Sequence, residues 1–363
     1  MSLLARRVAL LLALALLAAA CGGGGDSDDG AAETTEAPAE ATSETTEAPA
    51  TTEVVDTTTS EAAAADLGPV LPLTGLPGEA DRPALAIKID NHPQNARPQV
   101  GLNQADLVME EVVEGNITRF IVVFHSQDSD PVGPVRSART QDVVLLAHLG
   151  TPLFANSGGN AGTMSAVRSS EDLVNANVDA IPSAFYREGR PRFAPHNLFS
   201  NTSDIYAGVG EDGLSGRPPQ LFTYLGADDE LPASATAATG VDLAYGGINV
   251  SYAWDESAGG WARMQSGTPH VDGDDVLVAP TNVVVMETEY GRSAADPGSP
   301  EARVTGTGRA WVFTQGTVQV GTWEREAPQD VATLTSDSGE PMVLTPGTTW
   351  IGLPRPGGAT VVG

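Results

Sequence analysis

The sequence predicts an α+β fold class, with an N-terminal mixed α/β domain at residues 67–226 followed by a smaller, mostly β domain at 241–363. Apolar runs in the first region switch between strand-like and helix-like spacing, which indicates mixed secondary structure. The second region has short runs that alternate apolar and polar residues, and none has good helical periodicity. Between them, residues 227–240 contain Leu231 as their one large apolar residue, so we predict a linker there.

The elements follow from these runs in chain order. Residues 106–113 (DLVMEEVV) suit either a strand or a short helix, and residues 314–317 suit a hairpin turn. In the N-terminal domain, strands are predicted at 84–89, 119–124 and 153–156, and helices at 140–149 and from 163 toward 167. In the C-terminal domain, strands are predicted at 248–254, 261–265, 276–279, 282–288, 302–307, 309–314, 317–324, 331–334 and 348–353.

The first twenty residues predict an export signal. Arg6 and Arg7 precede an unbroken apolar run at residues 8–20. That run is too short to cross a ~30 Å hydrocarbon core comfortably, since a permanent helix needs about 20 apolar residues. Its length and flanks are typical of a cleavable secretory signal peptide, and small residues then lead to Cys21. A plain secretory signal with an incidental cysteine, or an uncleaved anchor, remain alternatives.

Residues 17–21 (LAAAC) resemble the lipobox of bacterial lipoproteins, with Leu17 four rather than three positions before the cysteine. In that family the cysteine sulfur receives a diacylglycerol, and cleavage leaves the cysteine as the first residue. The resemblance implies lipidation of Cys21 and a lipid-anchored position on the extracytoplasmic face of the cell membrane. Because Cys21 is the only cysteine, the sequence excludes a disulfide within the chain and thiol catalysis.

Residues 21–66 predict a disordered tether. After Cys21 they contain twelve acids, no basic residue and no aromatic residue, and the motif ETTEAPA occurs at 33–39 and again at 44–50. Such a segment buries too little apolar surface to offset its ordering entropy. As a flexible coil it would span roughly 40 Å.

The charge of the chain limits its partners. The whole chain carries a net charge of −28, and residues 67–363 hold 35 acids against 17 bases, or −18. This balance argues against nucleic acid as a partner, because nonspecific binding relies on clustered Lys and Arg. Any bound anion must be held by a local arginine site rather than by the overall field.

Several segments together resemble one family, the YerB-like bacterial lipoproteins. The segments are 71–76 (LPLTGL), 89–98 (IDNHPQNARP), 105–120 (ADLVMEEVVEGNITRF), 133–139 (GPVRSAR), 194–198 (APHNL), 269–272 (PHVD), 306–324 (GTGRAWVFTQGTVQVGTWE) and 344–350 (LTPGTTW). Their order and spacing cover nearly all of residues 70–355. The resemblance implies a two-domain surface lipoprotein of unknown function, and it supplies no catalytic residues.

Two arginines form the most specific candidate site. Arg136 and Arg139 follow Gly133-Pro134 and precede a predicted helix, a setting that suits an anion such as phosphate or carboxylate. Arg119 is a third candidate for the same ligand. The alternative is that these arginines pair with carboxylates of the same domain, for example Glu110, Glu111 or Glu114.

His196 and Asn197 follow a proline and could line a cleft, where the histidine would donate to a ligand or act as a general base. The alternative, which we favour, is that the two side chains hydrogen-bond a loop to the core. Asn91 lies in Asp90-Asn91-His92 at a predicted strand end, where sites often gather, although a simple turn also explains it. We predict core burial for most of the five tryptophans, with sugar stacking as the alternative.

Three functions fit these residues. The sequence lacks a G-x-S-x-G motif and paired histidines at zinc spacing, and we predict no cofactor and no metal. We favour a non-catalytic protein that binds a cell-wall component or a wall-synthesis partner in a cleft lined by Arg136, Arg139 and His196. The alternatives are a hydrolase or transferase acting on envelope glycan or phosphodiester, with His196 or Asp90 as general base, and a pure protein-interaction scaffold.

Overall fold

The computed structural model of the chain describes residues 69–214 and 216–363. The predicted signal peptide at 1–20, the lipidation site Cys21 and the tether at 21–66 lie outside these residues. The described chain is mostly strand, with three α-helices, and no helix in it is long and apolar enough to cross a membrane.

The helices are α1 (Thr140–Leu146), α2 (Ala161–Ser169) and α3 (Thr202–Val209), and short 3-10 helices lie at Glu114–Asn116, Ala147–Leu149, Pro182–Ala184 and Glu211–Gly213. The strands are β1 (Leu85–Asp90), β2 (Leu107–Val112), β3 (Thr118–Phe124), β4 (Leu153–Ala155), β5 (Val174–Asn175), β6 (Phe185–Arg187), β7 (Leu198–Ser200), β8 (Thr223–Tyr224), β9 (Thr236–Ala237), β10 (Gly240–Ala244), β11 (Asn249–Asp255), β12 (Gly260–Gln265), β13 (Thr268–Pro269), β14 (Asn282–Met286), β15 (Tyr290–Arg292), β16 (Pro300–Ala302), β17 (Gly306–Thr314), β18 (Thr317–Arg325), β19 (Thr333–Ser336), β20 (Val343–Leu344), β21 (Thr349–Gly352) and β22 (Ala359–Val362).

One mixed sheet of eleven strands runs through both halves of the sequence, in the order β19-β18-β17-β14-β21-β2-β3-β1-β4-β5, with β9 paired to β18. The halves join where β21 pairs in parallel with β2, so that Leu107 lies opposite Thr349 and Glu110 opposite Gly352. The predicted linker at 227–240 includes β9 and the first residue of β10.

The large sheet has two buried faces, because successive side chains of a strand point to opposite sides. In β1, Leu85, Ile87 and Ile89 belong to one hydrophobic cluster and Ala86 to the other. The Ala86 face packs against the apolar side chains of α1 and α2. The Ile87 face packs against α3 and a five-stranded antiparallel sheet, β13-β12-β11-β10-β22.

Most predicted elements appear with shifted ends. The ambiguous run at 106–113 is a strand, β2, and the predicted turn at 314–317 joins β17 to β18. Residues 276–279 form no strand, because only Leu277 makes a bridge there, to Val271. The run at 302–307 is split between β16 and β17. Three tryptophans are buried in the core, Trp261, Trp323 and Trp350.

Candidate functional site

Three arginines, which we call the arginine cluster, lie at one end of the large sheet. Arg119 is on β3 and Arg139 immediately precedes α1. The carbonyl oxygen of Ser137 accepts hydrogen bonds from Arg119 Nη1 at 2.8 Å and from Arg139 Nη1 at 3.4 Å. Arg136, the third member, lies next to that carbonyl in sequence. The candidate arginines therefore converge.

The backbone around Arg136 explains this convergence. The Asp90 N–H at the end of β1 donates to Pro134 O at 2.9 Å, and the Arg136 N–H donates to Lys88 O at 2.8 Å. On its other side, the Ser157 N–H donates to Arg136 O at 2.9 Å. The segment that carries Arg136 is thus held between β1 and the loop after β4.

The arginine cluster holds more positive than negative charge. Burial, followed by the charges of Arg139 and Arg136, lowers the pKa of Arg119 to about 10. Two carboxylates lie beside the three cations. Asp90 Oδ2 is 3.2 Å from Arg136 Nε, and Glu114 forms an ion pair with Arg139. Burial would raise the pKa of Glu114, but the hydrogen bond and charge of Arg139 prevail and lower it to about 2.

Hydrogen-bond donors outnumber acceptors in the arginine cluster. The Nε atoms of Arg119, Arg136 and Arg139 are buried and make no hydrogen bond to a described residue, since the 3.2 Å contact between Arg136 Nε and Asp90 lacks hydrogen-bond geometry. The side chain of Arg136 is 20% exposed, and neither of its terminal nitrogens donates to a described residue. A buried donor without a partner costs about 1–3 kcal/mol. The terminal nitrogens of Arg136 are not among the buried atoms, so they are the donors that oxygens of a bound anion could reach.

A histidine–aspartate pair borders the arginine cluster. Asp90, which is 1% exposed, accepts a hydrogen bond from His196 Nδ1 at 2.5 Å, since a carboxylate that is paired with an arginine can only accept. The other oxygen of Asp90 accepts from the His92 N–H at 3.1 Å, and the His92 and His196 rings lie 4.9 Å apart. His196 Nε2 has no partner among the described residues, and this pair has the arrangement of a histidine oriented for proton transfer.

The side chains of Asn91 and Asn197 make no hydrogen bond to the arginine cluster or to the His196–Asp90 pair in the described part of the chain. The side chain of Asn91 is buried and donates to Thr118 Oγ1 at 2.7 Å and to Gln265 Oε1 at 2.9 Å. Asn197 Nδ2 donates to Glu188 O at 2.6 Å and so fixes its own loop. Both side chains already have protein partners.

Of the three carboxylates suggested as internal partners, Glu114 alone pairs with the arginine cluster, and Asp90 is a further internal partner, of Arg136. Glu110 accepts from Arg263 Nη2 at 2.9 and 2.8 Å, so its partner comes from β12 of the C-terminal half. Glu111 forms an ion pair with Lys88, which also donates to Asp142 at 2.7 Å. Burial outweighs the attraction of Lys88 and raises the pKa of Glu111 to about 7.

A groove next to His196, which we call the basic groove, is a feature that we did not predict. Its lining contains two arginines, one histidine and no carboxylate. The lining residues are Gln94, Asn95, Arg97, Pro98, Pro191, Arg192, Phe193, Ala194, Pro195 and His196. The sequence signal for it was the segment 187–192 (REGRPR), which has three arginines in a strongly acidic chain.

Metal ligation has no support in the described part of the chain, since no three His, Cys, Asp or Glu side chains there are grouped to hold an ion. The reactive groups that the site brings together are the guanidinium groups of the arginine cluster and the imidazole of His196.

Comparison with known proteins identifies the family. Residues 73–215 match the family described as "Protein of unknown function (DUF3048) N-terminal domain", and residues 241–351 match the corresponding C-terminal domain. The chain is 30% identical over 291 residues to "Putative lipoprotein YerB" of Bacillus subtilis (strain 168), which covers 78% of this chain and 85% of the relative. The crystal structure of YerB from Bacillus subtilis superposes with a TM-score of 0.69 at 28% identity, covering 82% of this chain and all of that one. The chain therefore belongs to the YerB-like family of bacterial lipoproteins.

Proposed function

We propose that this protein is anchored by a lipid on Cys21 to the extracytoplasmic face of the cell membrane, and that it binds an anionic component of the cell envelope at the arginine cluster. The name of the Bacillus relative and the sequence before Cys21 support the anchor. The acidic tether would let the folded part reach roughly 40 Å from the membrane.

The observation that carries the binding proposal is the unused hydrogen-bonding capacity of Arg136. Its guanidinium has one ion-pair contact, to Asp90, and its terminal nitrogens are free of described partners. The neighbouring Arg119 and Arg139 add positive charge. A phosphate, sulfate or carboxylate group on the ligand would accept from these donors in the paired geometry that guanidinium groups favour.

The test uses polyphosphate as a defined anionic probe. A charge-assisted hydrogen bond contributes about 1.5–3 kcal/mol, so we expect Arg136→Ala to weaken polyphosphate binding roughly 10- to 100-fold in titration calorimetry. Arg136→Lys keeps the charge and loses the planar guanidinium, so its affinity for polyphosphate should lie between those of the unmodified protein and Arg136→Ala.

The matched control is Arg309→Ala, which removes the same charge from an exposed ion pair with Asp337 in the C-terminal half. This variant should bind polyphosphate like the unmodified protein. Equal losses in the Arg136 and Arg309 variants would mean that the anion responds to overall charge. Unchanged binding by Arg136→Ala together with a lowered melting temperature would assign Arg136 a structural role and refute the proposal.

Hydrolysis or transfer at an envelope glycan or phosphodiester is a second candidate, favoured by the His196–Asp90 pair beside Arg136. With Nδ1 held by the buried carboxylate, Nε2 could take a proton from water while the arginines stabilise negative charge. The test is incubation with bis(p-nitrophenyl) phosphate. Turnover that is lost in His196→Gln would support this candidate, and the absence of turnover in a protein that binds polyphosphate would favour pure binding.

A further inference from the structure

The basic groove begins at the proposed anion site. His196 belongs to both, because its ring donates to Asp90 beside Arg136 and also lines the groove. The groove walls are formed by residues 94–98 and by the loop 191–196. Arg192 holds these walls together, since its Nη1 donates to Ala96 O at 3.0 Å and its Nη2 donates to Pro98 O.

The charge of this groove opposes that of the molecule. The chain has a net charge of −28, yet the groove lining contains Arg97 and Arg192 and no carboxylate. Glu188 is the acid that neutralises part of this charge, at 3.4 Å from Arg192 Nε. Because the chain as a whole is strongly acidic, a groove whose lining has positive side chains and no carboxylate is a place where an anion could be held locally.

An exposed aromatic ring lies at the groove. Phe193 is 63% exposed, the largest exposure among the exposed large apolar side chains of the described chain. The guanidinium of Arg190 lies 5.9 Å from its ring centre and donates no hydrogen bond to a described residue. A flat apolar face beside the uncommitted guanidinium of Arg190 suits a ligand that alternates apolar C–H surface with negative charge.

We infer that the basic groove binds the sugar units of an anionic glycan, whose phosphate, sulfate or carboxylate groups are held by the arginine cluster and by Arg190. The ring face of a sugar offers C–H groups that stack on Phe193, and its charged substituents find arginines on both sides. This inference rests on the proposed anion site and names the class of its ligand.

The experiment compares four polymers that separate sugar from charge. Dextran sulfate carries both, dextran carries sugar alone, polyphosphate carries charge alone, and polyglutamate is an acidic peptide. We expect Phe193→Ala to weaken dextran sulfate binding roughly 5- to 30-fold, because a stacked aromatic ring buries a large apolar area. Polyphosphate binding should be unchanged in this variant, and dextran should bind far more weakly than dextran sulfate. Leu76→Ala, at an apolar residue that is 39% exposed, is the matched control.

The outcomes distinguish the two proposals. Unchanged dextran sulfate binding in Phe193→Ala, or tighter binding of polyglutamate than of dextran sulfate, would overturn the glycan inference. The anion site would still stand if Arg136→Ala lost affinity for polyphosphate. Conversely, loss of dextran sulfate binding in Phe193→Ala, with no effect of Arg136→Ala on either anion, would keep the sugar subsite and refute the anion site.

Discussion

Replacement of Arg263 by methionine should destabilise the whole folded part, because this side chain joins the two halves of the sequence. Arg263 on β12 is fully buried and donates twice to Glu110 on β2. It also donates to Gln265 Oε1 at 3.1 Å and to the Tyr252 hydroxyl at 3.2 Å. Methionine fills similar space, so the main loss is electrostatic.

The expected magnitude follows from what the variant leaves behind. Glu110 would keep weaker donors, the Thr118 hydroxyl at 2.7 Å and the Asn91 amide at 3.4 Å, but no described cation would hydrogen-bond its buried carboxylate. Removing one partner of a buried ion pair costs about 3–5 kcal/mol. For a domain of this size we expect a fall in melting temperature of roughly 5–10 °C.

The assays are urea unfolding for the free energy and thermal unfolding for the melting temperature, monitored by tryptophan fluorescence and by far-ultraviolet circular dichroism. Both signals should move together in one transition, since one sheet connects the halves. The double variant Glu110→Leu, Arg263→Met removes both charges and should recover much of the lost stability. A single-variant loss below about 1 kcal/mol would refute the buried-pair argument, and two separate transitions would refute the claim that the halves unfold as a unit.

Further predictions concern the anchor and two titrating groups. Cys21→Ser should move the protein from the membrane fraction to the soluble fraction of fractionated cells; retention in the membrane would contradict lipid anchoring at Cys21. Burial, followed by the charge of Arg325, lowers the pKa of His148 to about 3. The unfolded chain therefore binds the proton first, and stability should fall as the pH drops from about 6.5 to 3, by at most about 1.4 kcal/mol per unit. His148→Gln should show a shallower dependence in denaturant titrations at each pH. The pKa of Glu114 is lowered to about 2, so its contribution to folding stability is complete above its ordinary pKa and is lost on acidification. Glu114→Gln should therefore cost about 1 kcal/mol of stability at neutral pH after solvent screening. If this variant lost stability in acid with the same profile as the unmodified protein, the result would count against the pair with Arg139.

Much of the candidate site could be predicted from residue type and local context. Two arginines beside a proline-containing turn predict an anion site at Arg136 and Arg139, and the structure places them beside Arg119 and, through Asp90, beside His196. The basic groove was missed because its walls are two segments almost one hundred residues apart in the chain. Spacing along the sequence does not predict that these two segments lie side by side in the fold.

Asn91 shows why two residues that are adjacent in sequence at a strand end need not belong to the same site. Asp90 and Asn91 are neighbours, yet strand side chains alternate between faces. Asp90 follows Lys88 onto the helix-covered face and meets the arginine cluster, whereas Asn91 follows Ile89 onto the opposite face and contacts Gln265. Knowledge that residues 85–90 form a strand buried on both faces would have excluded Asn91 from the arginine site.

The same alternation of side chains between the two faces of a strand means that two adjacent acidic residues need partners on opposite faces of the sheet. Glu110 and Glu111 lie in a strand with both faces buried, so each carboxylate needs a cation on its own face if it is to stay ionised. On one face it is Lys88, the only lysine of the chain, and on the other it is Arg263, 153 residues away. The acid pair inside DLVMEEVV therefore already required a second region of the chain to close over β2. The C-terminal half meets this requirement, and Glu110 and Glu111 are paired with Arg263 and Lys88 rather than with the arginine cluster.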